Sequence, residues 1–434
     1  MATLAGILVV VGSLGLPATA QPGPSTTTGT DIAIGPAETQ ASRTDAGNVL
    51  PVVLDAQVAD DGDHARFVVE VSDPFRMRLF TLAGPDRIVI DMPEVLWRLD
   101  RPPRPSGGGL IRSYRYGLFR AGNSRLVIDL NRPATAAEPL VVPPSHGKGY
   151  RIVIDLEPVS QPKFRELAGW PSDLKRREQA AVRQSDSRTA SYGHGSAGRR
   201  VVVIDPGHGG IDSGTVGIDG FMEKDLVLDE ALRLQAELTK RRYTVRLTRD
   251  TDVYVPLQER VSIARALDAD LFISLHADSN PDTSVSGASV YTLSESGSDR
   301  EAAALARKEN QSDVIAGVDL SAESTPVASI LIGLAQRDTL NRSSRFAQSA
   351  VASLSHTTDI LAREPHRSAA FVVLKAPDVP AVLIEMGYLS NPHDCARART
   401  SGWRDGIASA IADAVDRQFE VNSARAAANK QAAE

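Results

Sequence analysis

Two hydrophobic patterns divide this chain of 434 residues, and they restrict its fold more than any other feature. Up to about residue 157, short apolar runs rich in Val and Ile are separated by Gly, Pro, Asn and Asp. After residue 199, short apolar runs alternate with longer stretches of helical periodicity. A chain of this length is also too long to fold around a single hydrophobic core. The sequence therefore predicts two folded domains of different structural class.

The first domain, residues 49–157, is predicted to be an all-β sandwich because its short β-branched runs are bounded by turn residues. One pattern recurs within it: RIVIDM begins at Arg87, RLVIDL at Arg125 and RIVIDL at Arg151. Each copy follows turn residues, which indicates strands that start after tight turns.

The charge of the chain is spread unevenly. With 48 Lys and Arg against 54 Asp and Glu, the formal net charge is −6, which gives no indication of nucleic-acid binding. Residues 97–120 stand out because they carry six arginines together with Trp97, Tyr114, Tyr116 and Phe119. Two interpretations of this basic segment stay open: a surface for an anionic or carbohydrate polymer, or solvated strand edges that oppose aggregation.

The second domain, residues 199–420, is predicted to be an α/β domain with a largely parallel sheet flanked by helices. Residues 223–242 and 257–267 show apolar side chains at helical spacing. The runs VVVI, ADLFISLH and PAVLIEMG are short and apolar, as expected of buried strands.

The remaining segments flank or connect the two domains. Residues 1–20 contain the apolar run LAGILVVVGSLGL before an A-x-A pattern, which is typical of a secretory signal peptide. This run is too short to span a bilayer comfortably, so we expect a periplasmic protein with no stable membrane span. Composition further predicts a flexible leader at residues 21–48, a linker at 158–198 and a disordered tail at 421–434.

Titratable side chains follow the carboxyl ends of three predicted strands. VVVIDPG leads into His208, LFISL into His276 and AVLI into Glu385. In open α/β sheets, ligands bind outside these strand ends. The glycines around His208 permit a sharp turn. This turn has neither the spacing of a phosphate-binding loop nor a G-x-S-x-G serine motif, so those two site classes are excluded.

Glu223 supplies a further carboxylate at the start of the helix after this turn. Alone, it is well explained as an acidic residue at a helix N-terminus. Together with His208 and His276 it forms a His₂Glu set, a ligand type of catalytic zinc, and the single cysteine of the chain excludes a cysteine-based site and an internal disulfide. Zinc lowers the pKa of the water that it binds and polarises a carbonyl. Glu385 is then the candidate for proton transfer, the alternative being a buried structural ion pair.

The second domain resembles the zinc-dependent N-acetylmuramoyl-L-alanine amidases of the amidase_3 family. The resemblance covers residues 200–419 and is carried by VVIDPGHGGIDSGTVG, EKDLVL, ADLFISLHAD and VLKAPDVPAVLIEMGYLSN. It implies zinc held by His208, Glu223 and His276, with Glu385 as the catalytic acid and base. The bond cleaved would be the amide between N-acetylmuramic acid and L-alanine of the stem peptide of peptidoglycan. Asp278 departs from the family, which usually has Asn there.

The first domain is similar to the AMIN domain, which in this family directs such amidases to peptidoglycan, often at the division site. Residues 294–353 are predicted to be a helical insertion with a regulatory role. In cell-division amidases such an insertion blocks the zinc with a carboxylate until a LytM-like activator protein displaces it. Glu309 is the first candidate for this carboxylate, followed by Glu301 and Glu323; the alternative is a pair of packing helices without a regulatory role.

Two other functions stay open at this point. The chain could be a non-catalytic peptidoglycan-binding or cell-division adaptor that retains the fold, although an adaptor would not need Glu385 and all three ligands. A zinc exopeptidase uses similar ligands, but the leader and the β domain argue against it. Asp205 is a further candidate, with two interpretations open: it holds the ring of His208, or it has a structural role in the turn. Arg249, Arg260 and Asn391 are candidates for shaping the substrate groove. His366 is a candidate for a substrate contact, the alternative being a solvent-exposed loop residue.

Overall fold

The structure, a computed structural model, describes residues 30–33, 50–99, 105, 108–120, 122–145, 148–172, 174, 200–318 and 332–433. The predicted signal peptide lies outside the described residues, as do most of the predicted leader and linker. Among the described residues, no helix combines the length and the apolar character needed to cross a bilayer.

The N-terminal domain is a sandwich of two mostly antiparallel sheets. The first sheet has the order β1-β4-β5-β8-β7 and the second β10-β11-β3-β2-β6, with β9 paired to β11. The strands are β1 (Thr30–Ala33), β2 (Val52–Asp60), β3 (Ala65–Val71), β4 (Arg76–Leu82), β5 (Arg87–Pro93), β6 (Leu96–Trp97), β7 (Ile111–Arg120), β8 (Asn123–Leu130), β9 (Ala134–Ala136), β10 (Leu140–Val142) and β11 (Tyr150–Pro158). The predicted all-β sandwich is confirmed.

The core of the sandwich follows from the alternation of side chains along its strands. In β5 the inward residues Ile88 and Ile90 are buried between the sheets, as are Leu126 and Ile128 of β8. Three aromatic residues of the basic segment, Trp97, Tyr114 and Tyr116, also pack against this core, with the rings of Trp97 and Tyr116 4.4 Å apart. Phe119 belongs to a different apolar cluster.

The C-terminal domain contains a six-stranded sheet of order β13-β12-β14-β17-β15-β16. All neighbouring strands are parallel except the antiparallel pair β15 and β17, so the predicted α/β class is confirmed. The strands are β12 (Val201–Pro206), β13 (Thr244–Leu247), β14 (Leu271–His276), β15 (Ser289–Leu293), β16 (His366–Ala369) and β17 (Ala381–Glu385).

Helices cover both faces of this sheet. They are α2 (Glu223–Lys240), α3 (Leu257–Ala266), α4 (Arg300–Glu309), α5 (Ser312–Ile315), α6 (Ile332–Leu354), α7 (Pro392–Ala398) and α8 (Ser401–Ala433), whereas α1 (Gln161–Leu167) belongs to the N-terminal domain. Leucines of α2 and alanines of α6 and α8 form one core with the strands. The opposite face packs against α3, α4 and the residues around Val373.

The structure differs from the sequence predictions at four segment boundaries. Thr30–Ala33 pairs with β4 inside the predicted leader. Helix α1 begins inside the predicted linker because Phe164 is buried in the sandwich core. The predicted insertion is too long, since Phe346 and Leu354 of α6 belong to the core of the sheet. Helix α8 continues to Ala433 where a disordered tail is predicted, in keeping with the high helix propensity of its alanines.

Candidate metal centre

Three parallel strands bring His208, His276 and Glu385 to one edge of the sheet. His276 and Glu385 end β14 and β17 and lie opposite each other in the register of that pair. His208 follows β12, which pairs with the other side of β14. All three residues are buried. The positions of these groups are therefore determined by the core of the domain.

The turn after β12 needs glycine at two places because the side chains of the site lie against its backbone. A Cβ at Gly207 would lie 2.4 Å from the ring of His276, and a Cβ at Gly214 would lie 2.6 Å from the ring of His208. His208 itself adopts a positive φ of 58°, a conformation that costs free energy for a residue with a side chain. The surrounding contacts hold it there and direct its ring toward His276.

Glu223 opens helix α2 and is fully buried. Its Oε2 accepts a hydrogen bond from the backbone nitrogen of Thr215 at 2.8 Å, and its Oε1 accepts one from the backbone nitrogen of Ala277 at 2.9 Å. Oε1 also lies 3.1 Å from Nε2 of His208 and 3.1 Å from Nδ1 of His276. These amides orient one oxygen between the two imidazoles.

Glu309, at the end of α4, adds a fourth atom to this group. Its Oε2 lies 3.3 Å from Nε2 of His208 and 3.4 Å from Nδ1 of His276. A tetrahedral zinc site with bonds of about 2.0–2.1 Å has ligand atoms about 3.3–3.4 Å apart. The four measured separations between imidazole nitrogens and carboxylate oxygens, 3.1–3.4 Å, match this spacing. Nε2 of His208 is buried and has no hydrogen-bond partner among the described residues, as expected of an atom that faces a cation.

The charges at the site also favour a cation. His208, Glu223 and His276 can each offer one ligand atom, with these atoms within 4.8 Å of one another. Burial lowers the pKa of His208, but the neighbouring Glu223, Asp212 and Glu309 outweigh it and raise that pKa well above 6.5. The donor set therefore fits zinc, which accepts nitrogen and oxygen ligands.

Glu385 lies beside this group without belonging to it. Its Oε2 accepts a hydrogen bond from the backbone nitrogen of Asp278 at 2.9 Å, while its Oε1 is buried and has no partner among the described residues. Burial, reinforced by the negative charges of Asp278, Glu223 and Glu309, raises the pKa of Glu385 well above its ordinary value. A carboxyl with a raised pKa suits proton transfer near neutral pH.

Asp212, which the sequence analysis missed, is the residue that holds the ring of His208. Its Oδ2 lies 2.9 Å from Nδ1 of His208. Of the two interpretations of Asp205, the structural one agrees with the structure, because its carboxylate accepts hydrogen bonds from Thr248 and Ser274 and pairs with Arg260. Asp205 belongs to strand β12, and its side chain contacts the neighbouring segments. Asp212 lies in the turn that follows, from where its carboxylate reaches back to the imidazole of His208.

The four residues proposed for substrate contacts have other neighbours in this structure. Arg249 and Arg260 are buried and donate to backbone carbonyls of the His208 turn. Asn391 caps helix α7 through its side-chain oxygen. His366 is half-buried beside Thr292. Among the described residues, none of these four forms a hydrogen bond or ion pair with the side chain of His208, Glu223 or His276, although Arg260 donates to the backbone carbonyl of His208.

We call residues 300–318, which comprise α4, α5 and the following turn, the occluding segment, since they lie over the metal-binding group. Nζ of Lys308 donates to Oδ1 of Asp278 at 2.5 Å and to Oγ1 of Thr215 at 3.0 Å. The hydroxyl of Ser312 donates to the same Asp212 oxygen that faces His208. Polar contacts of Lys308 before Glu309 and of Ser312 after it thus hold this part of the occluding segment in place.

The two other candidate carboxylates of the insertion have different outcomes. Glu301 is exposed and pairs with Arg367 at 3.1 Å, away from the imidazoles. Glu323 lies outside the described residues. Asp278, the departure from the usual Asn of the family, is accommodated by its ion pair with Lys308.

The fold and the site together define a class: an α/β protein with a buried His₂Glu group at the strand ends, joined to a β sandwich. A family model described as N-acetylmuramoyl-L-alanine amidase matches residues 202–417, and a model of the AMIN domain matches residues 55–143.

Similar proteins agree with these models. The N-acetylmuramoyl-L-alanine amidase AmiC of Neisseria meningitidis serogroup B is 32% identical over 408 residues, which cover 91% of this chain and 96% of that protein. The amidase AmiA of Escherichia coli K12 is 37% identical over 246 residues, covering 55% of this chain and 85% of its own. The solved catalytic domain of CwlV from Bacillus (Paenibacillus) polymyxa is 27% identical, with a TM-score of 0.38 over 51% of this chain and 99% of that one. This chain belongs to the N-acetylmuramoyl-L-alanine amidase family.

Proposed function

We propose that the protein is a zinc-dependent peptidoglycan amidase that cleaves the bond between N-acetylmuramic acid and L-alanine of the stem peptide. The observation that carries the proposal is the group formed by His208, Glu223 and His276, whose ligand atoms lie within 4.8 Å of one another beside the buried Glu385. Membership of the amidase family supplies the substrate class.

In this proposal, His208, Glu223 and His276 hold the zinc ion, and Asp212 keeps the ring of His208 in the ligating orientation. When bound, zinc activates a water molecule for attack on the lactyl carbonyl and polarises that carbonyl. Glu385 takes a proton from the attacking water and returns it to the nitrogen of the departing L-alanine. The backbone amide of Asp278 orients the Glu385 carboxylate for both transfers.

We further propose that the described form is inactive, because Glu309 stands where the attacking water would bind. A fourth protein ligand fills the tetrahedral shell that a catalytic site leaves open. The separations between Glu309 and the two imidazoles, 3.3 and 3.4 Å, support this role. Withdrawal of the occluding segment by a LytM-like activator would open the position.

The setting of this activity follows from the family and the N-terminal part. We propose a signal peptide at residues 1–20, an AMIN-like domain that binds peptidoglycan and extends through helix α1, a linker between α1 and β12, and a catalytic domain that begins at β12 and extends into α8. The protein would act in the periplasm on septal cell wall during cell division. The AmiC amidases of Neisseria meningitidis and Escherichia coli O6:H1 match most of the length of this chain, which includes both domains.

The test is mass spectrometry of purified sacculi digested with the zinc-loaded, full-length protein, both as the wild type, which should show only basal release, and as the Glu309→Ala variant. We expect intact stem peptides with a free L-alanine amino group and glycan strands with a free lactyl group. A chelator should stop the release, and zinc should restore it. Cleavage within the peptide would indicate an exopeptidase instead, and no product from a zinc-loaded, folded Glu309→Ala variant would indicate a non-catalytic adaptor.

A further inference from the structure

The repeated R-x-V-x-D pattern of the N-terminal domain presents a polar face that the proposed activity does not use. Because side chains alternate along a strand, Ile88 and Ile90 of β5 point into the sandwich core, whereas Val89 faces the other way. Arg87 and Asp91 themselves lie on the outer face of the sheet, and the copy that begins at Arg125 in β8 does the same. Strand β7 adds Arg115 to this face. We call Arg87, Arg115 and Arg125 the arginine face.

The outer face of a sandwich normally meets water, yet two of these arginines are almost completely buried. Arg87 is 2% exposed and Arg125 is 1% exposed. Their cover is the end of the occluding segment, since Ala316 and Val318 share an apolar cluster with Val89. The C-terminal domain also contributes to this cluster through Tyr254, whose ring stacks on Phe119 at 6.1 Å.

The arginine face binds the backbone carbonyls at the end of this segment. Nη1 of Arg87 donates to the carbonyl of Val314, and Nε of Arg115 donates to that of Ile315. Nη1 of Arg125 donates to the carbonyls of Ala316 at 3.0 Å and Gly317 at 2.9 Å. Carbonyls at the end of a helix lack partners within the helix, so Arg115 and Arg125 satisfy acceptors for which the described residues supply no backbone donor, whereas the carbonyl of Val314 also accepts from the backbone nitrogen of Gly317.

Two aspartates of the same sheet hold the guanidinium groups in place. Asp91 accepts from Nε and Nη2 of Arg125 at 2.5 and 2.8 Å. Asp129 pairs with Arg115. Paired, bidentate arginines lose little further freedom when they bind a second acceptor. Arg115 and Arg125 are therefore preorganised to bind the carbonyls of the occluding segment.

The bound segment connects directly to the metal centre. Asp313 accepts hydrogen bonds from the hydroxyl of Tyr254 at 2.6 Å and from the backbone nitrogen of Leu257 at 3.0 Å. Ser312 donates to Asp212, which faces His208. Glu309 lies three residues before Ser312. A segment fixed at residues 312–317 thus leaves Glu309 little freedom to leave the imidazoles.

We propose that the arginine face is an intramolecular docking surface for the occluding segment, through which the N-terminal domain holds Glu309 in the metal site. This inference rests on the proposed occlusion by Glu309 and adds the N-terminal domain as its regulator. Separation of the two domains favours withdrawal of Glu309, and withdrawal of Glu309 favours separation, because coupling between two sites is reciprocal.

The first test uses Arg87→Met in the zinc-loaded, full-length protein. Its matched control is Arg151→Met, which alters the third copy of the pattern in β11 of the other sheet. Loss of a charged hydrogen bond from the closed state should raise basal hydrolysis of sacculi about tenfold. The control should leave it unchanged. Amide hydrogen exchange of residues 310–318 should accelerate in Arg87→Met and stay slow in the control.

A second variant separates the domains without removing a charge. A Cβ at Gly117 would lie 2.9 Å from the backbone of Gly210 and Ile211 in the C-terminal domain. Valine suits a strand, so Gly117→Val should fold and push the two domains apart. We expect the same rise in basal hydrolysis and the same faster exchange at residues 310–318 as for Arg87→Met.

Glu309→Ala separates the two proposals. It should raise basal hydrolysis by itself, and adding Arg87→Met to it should give no further rise. If Glu309→Ala is activated but Arg87→Met and Gly117→Val retain basal activity and slow exchange, the docking proposal is overturned and the proposed function stands. If Glu309→Ala is not activated although zinc is bound, the occlusion fails, and the docking proposal fails with it.

Discussion

The strand ends and the occluding segment contribute to the same site in different ways. His276 and Glu385 end strands whose residues form the core of the sheet, and Glu223 is fixed by two backbone amides. Glu309 ends a helix that packs through small apolar residues and is held by Lys308 and its neighbours through polar contacts. The strand ends can move only if the core of the domain unfolds. The polar contacts of the occluding segment, by contrast, can be replaced by contacts with a partner protein. We therefore expect substitutions in the two regions to have opposite effects on activity.

The largest effect is expected for a change at the strand ends. Glu385→Gln keeps the shape of the side chain but removes proton transfer, so hydrolysis should fall about 10²–10⁴-fold. Zinc content should stay at the wild-type value because Glu385 lies outside the ligand group. Steady-state release of stem peptides and metal analysis of the purified protein check both points. Retained turnover would remove Glu385 from the mechanism.

A change in the occluding segment should act in the opposite direction. Glu309→Ala removes the carboxylate that faces both imidazoles, so the open form gains population and basal hydrolysis should rise roughly 10–100-fold. Glu301→Ala is the matched control on the same helix, because its side chain is 67% exposed and pairs with Arg367. If Glu301→Ala raises basal hydrolysis as much as Glu309→Ala, the effect does not come from the carboxylate at the metal site, and the contrast between the two regions is wrong.

The ion pair between Asp278 and Lys308 joins the two regions and should have a smaller effect. It is 2.5 Å long, but the Lys308 side chain is 42% exposed, so solvent weakens it. Asp278→Asn and Lys308→Met should each raise basal hydrolysis about three- to fivefold, and the double variant should do no more than either. An additive double variant would mean that the pair does not hold the occluding segment.

The smallest effect concerns stability. Glu230 on α2 is fully buried, and neither carboxylate oxygen has a hydrogen-bond partner among the described residues. Burial raises its pKa well above the ordinary 4.5. The folded state therefore keeps a proton that the unfolded state releases, and stability falls as pH rises from about 4.5 toward the raised pKa. Glu230→Leu should stabilise the protein by about 1–2 kcal/mol at neutral pH, raising Tm by roughly 3–6 °C.

Calorimetry at pH 5 and pH 8 checks this expectation, since the gain in Tm should be larger at pH 8. Glu237→Leu is the control on the same helix, where the carboxylate pairs with Lys240 and Arg241 at the surface. An equal gain at both pH values would show that Glu230 does not titrate on unfolding. Activity should not change, because Glu230 lies about two helical turns beyond Glu223 in α2 and its charged neighbours are Asp229, Arg233, Arg404 and Asp405.

Much of the fold is readable from local sequence, because a buried strand needs a short apolar run and turn residues at its ends. All three R-x-V-x-D copies form strands, and the runs that end at His276 and Glu385 are strands of one parallel sheet. Their alignment at one edge follows from parallel pairing. The convergence of His208, His276 and Glu385 was predictable for this reason, whereas Glu223 reaches the group from the start of helix α2.

Other features depend on contacts between distant segments and leave no local signal. Asp212 reaches His208 because of the positive φ at that turn, which the glycines permit but do not specify. Helix α6 looks like an insertion in sequence, yet Phe346 covers the sheet. The docking of Arg125 on the carbonyls of Ala316 and Gly317 joins residues about 190 positions apart. Repeated arginines alone suggest a polymer-binding surface equally well.

Anomalous diffraction at the zinc edge from crystals of the full-length, zinc-loaded protein tests the central claim most directly. The account predicts one strong peak per chain, about 2.0–2.2 Å from His208, Glu223, His276 and Glu309. A peak elsewhere would contradict the proposed metal site. Zinc held by the first three residues, with Glu309 away from it, would contradict the proposed occlusion.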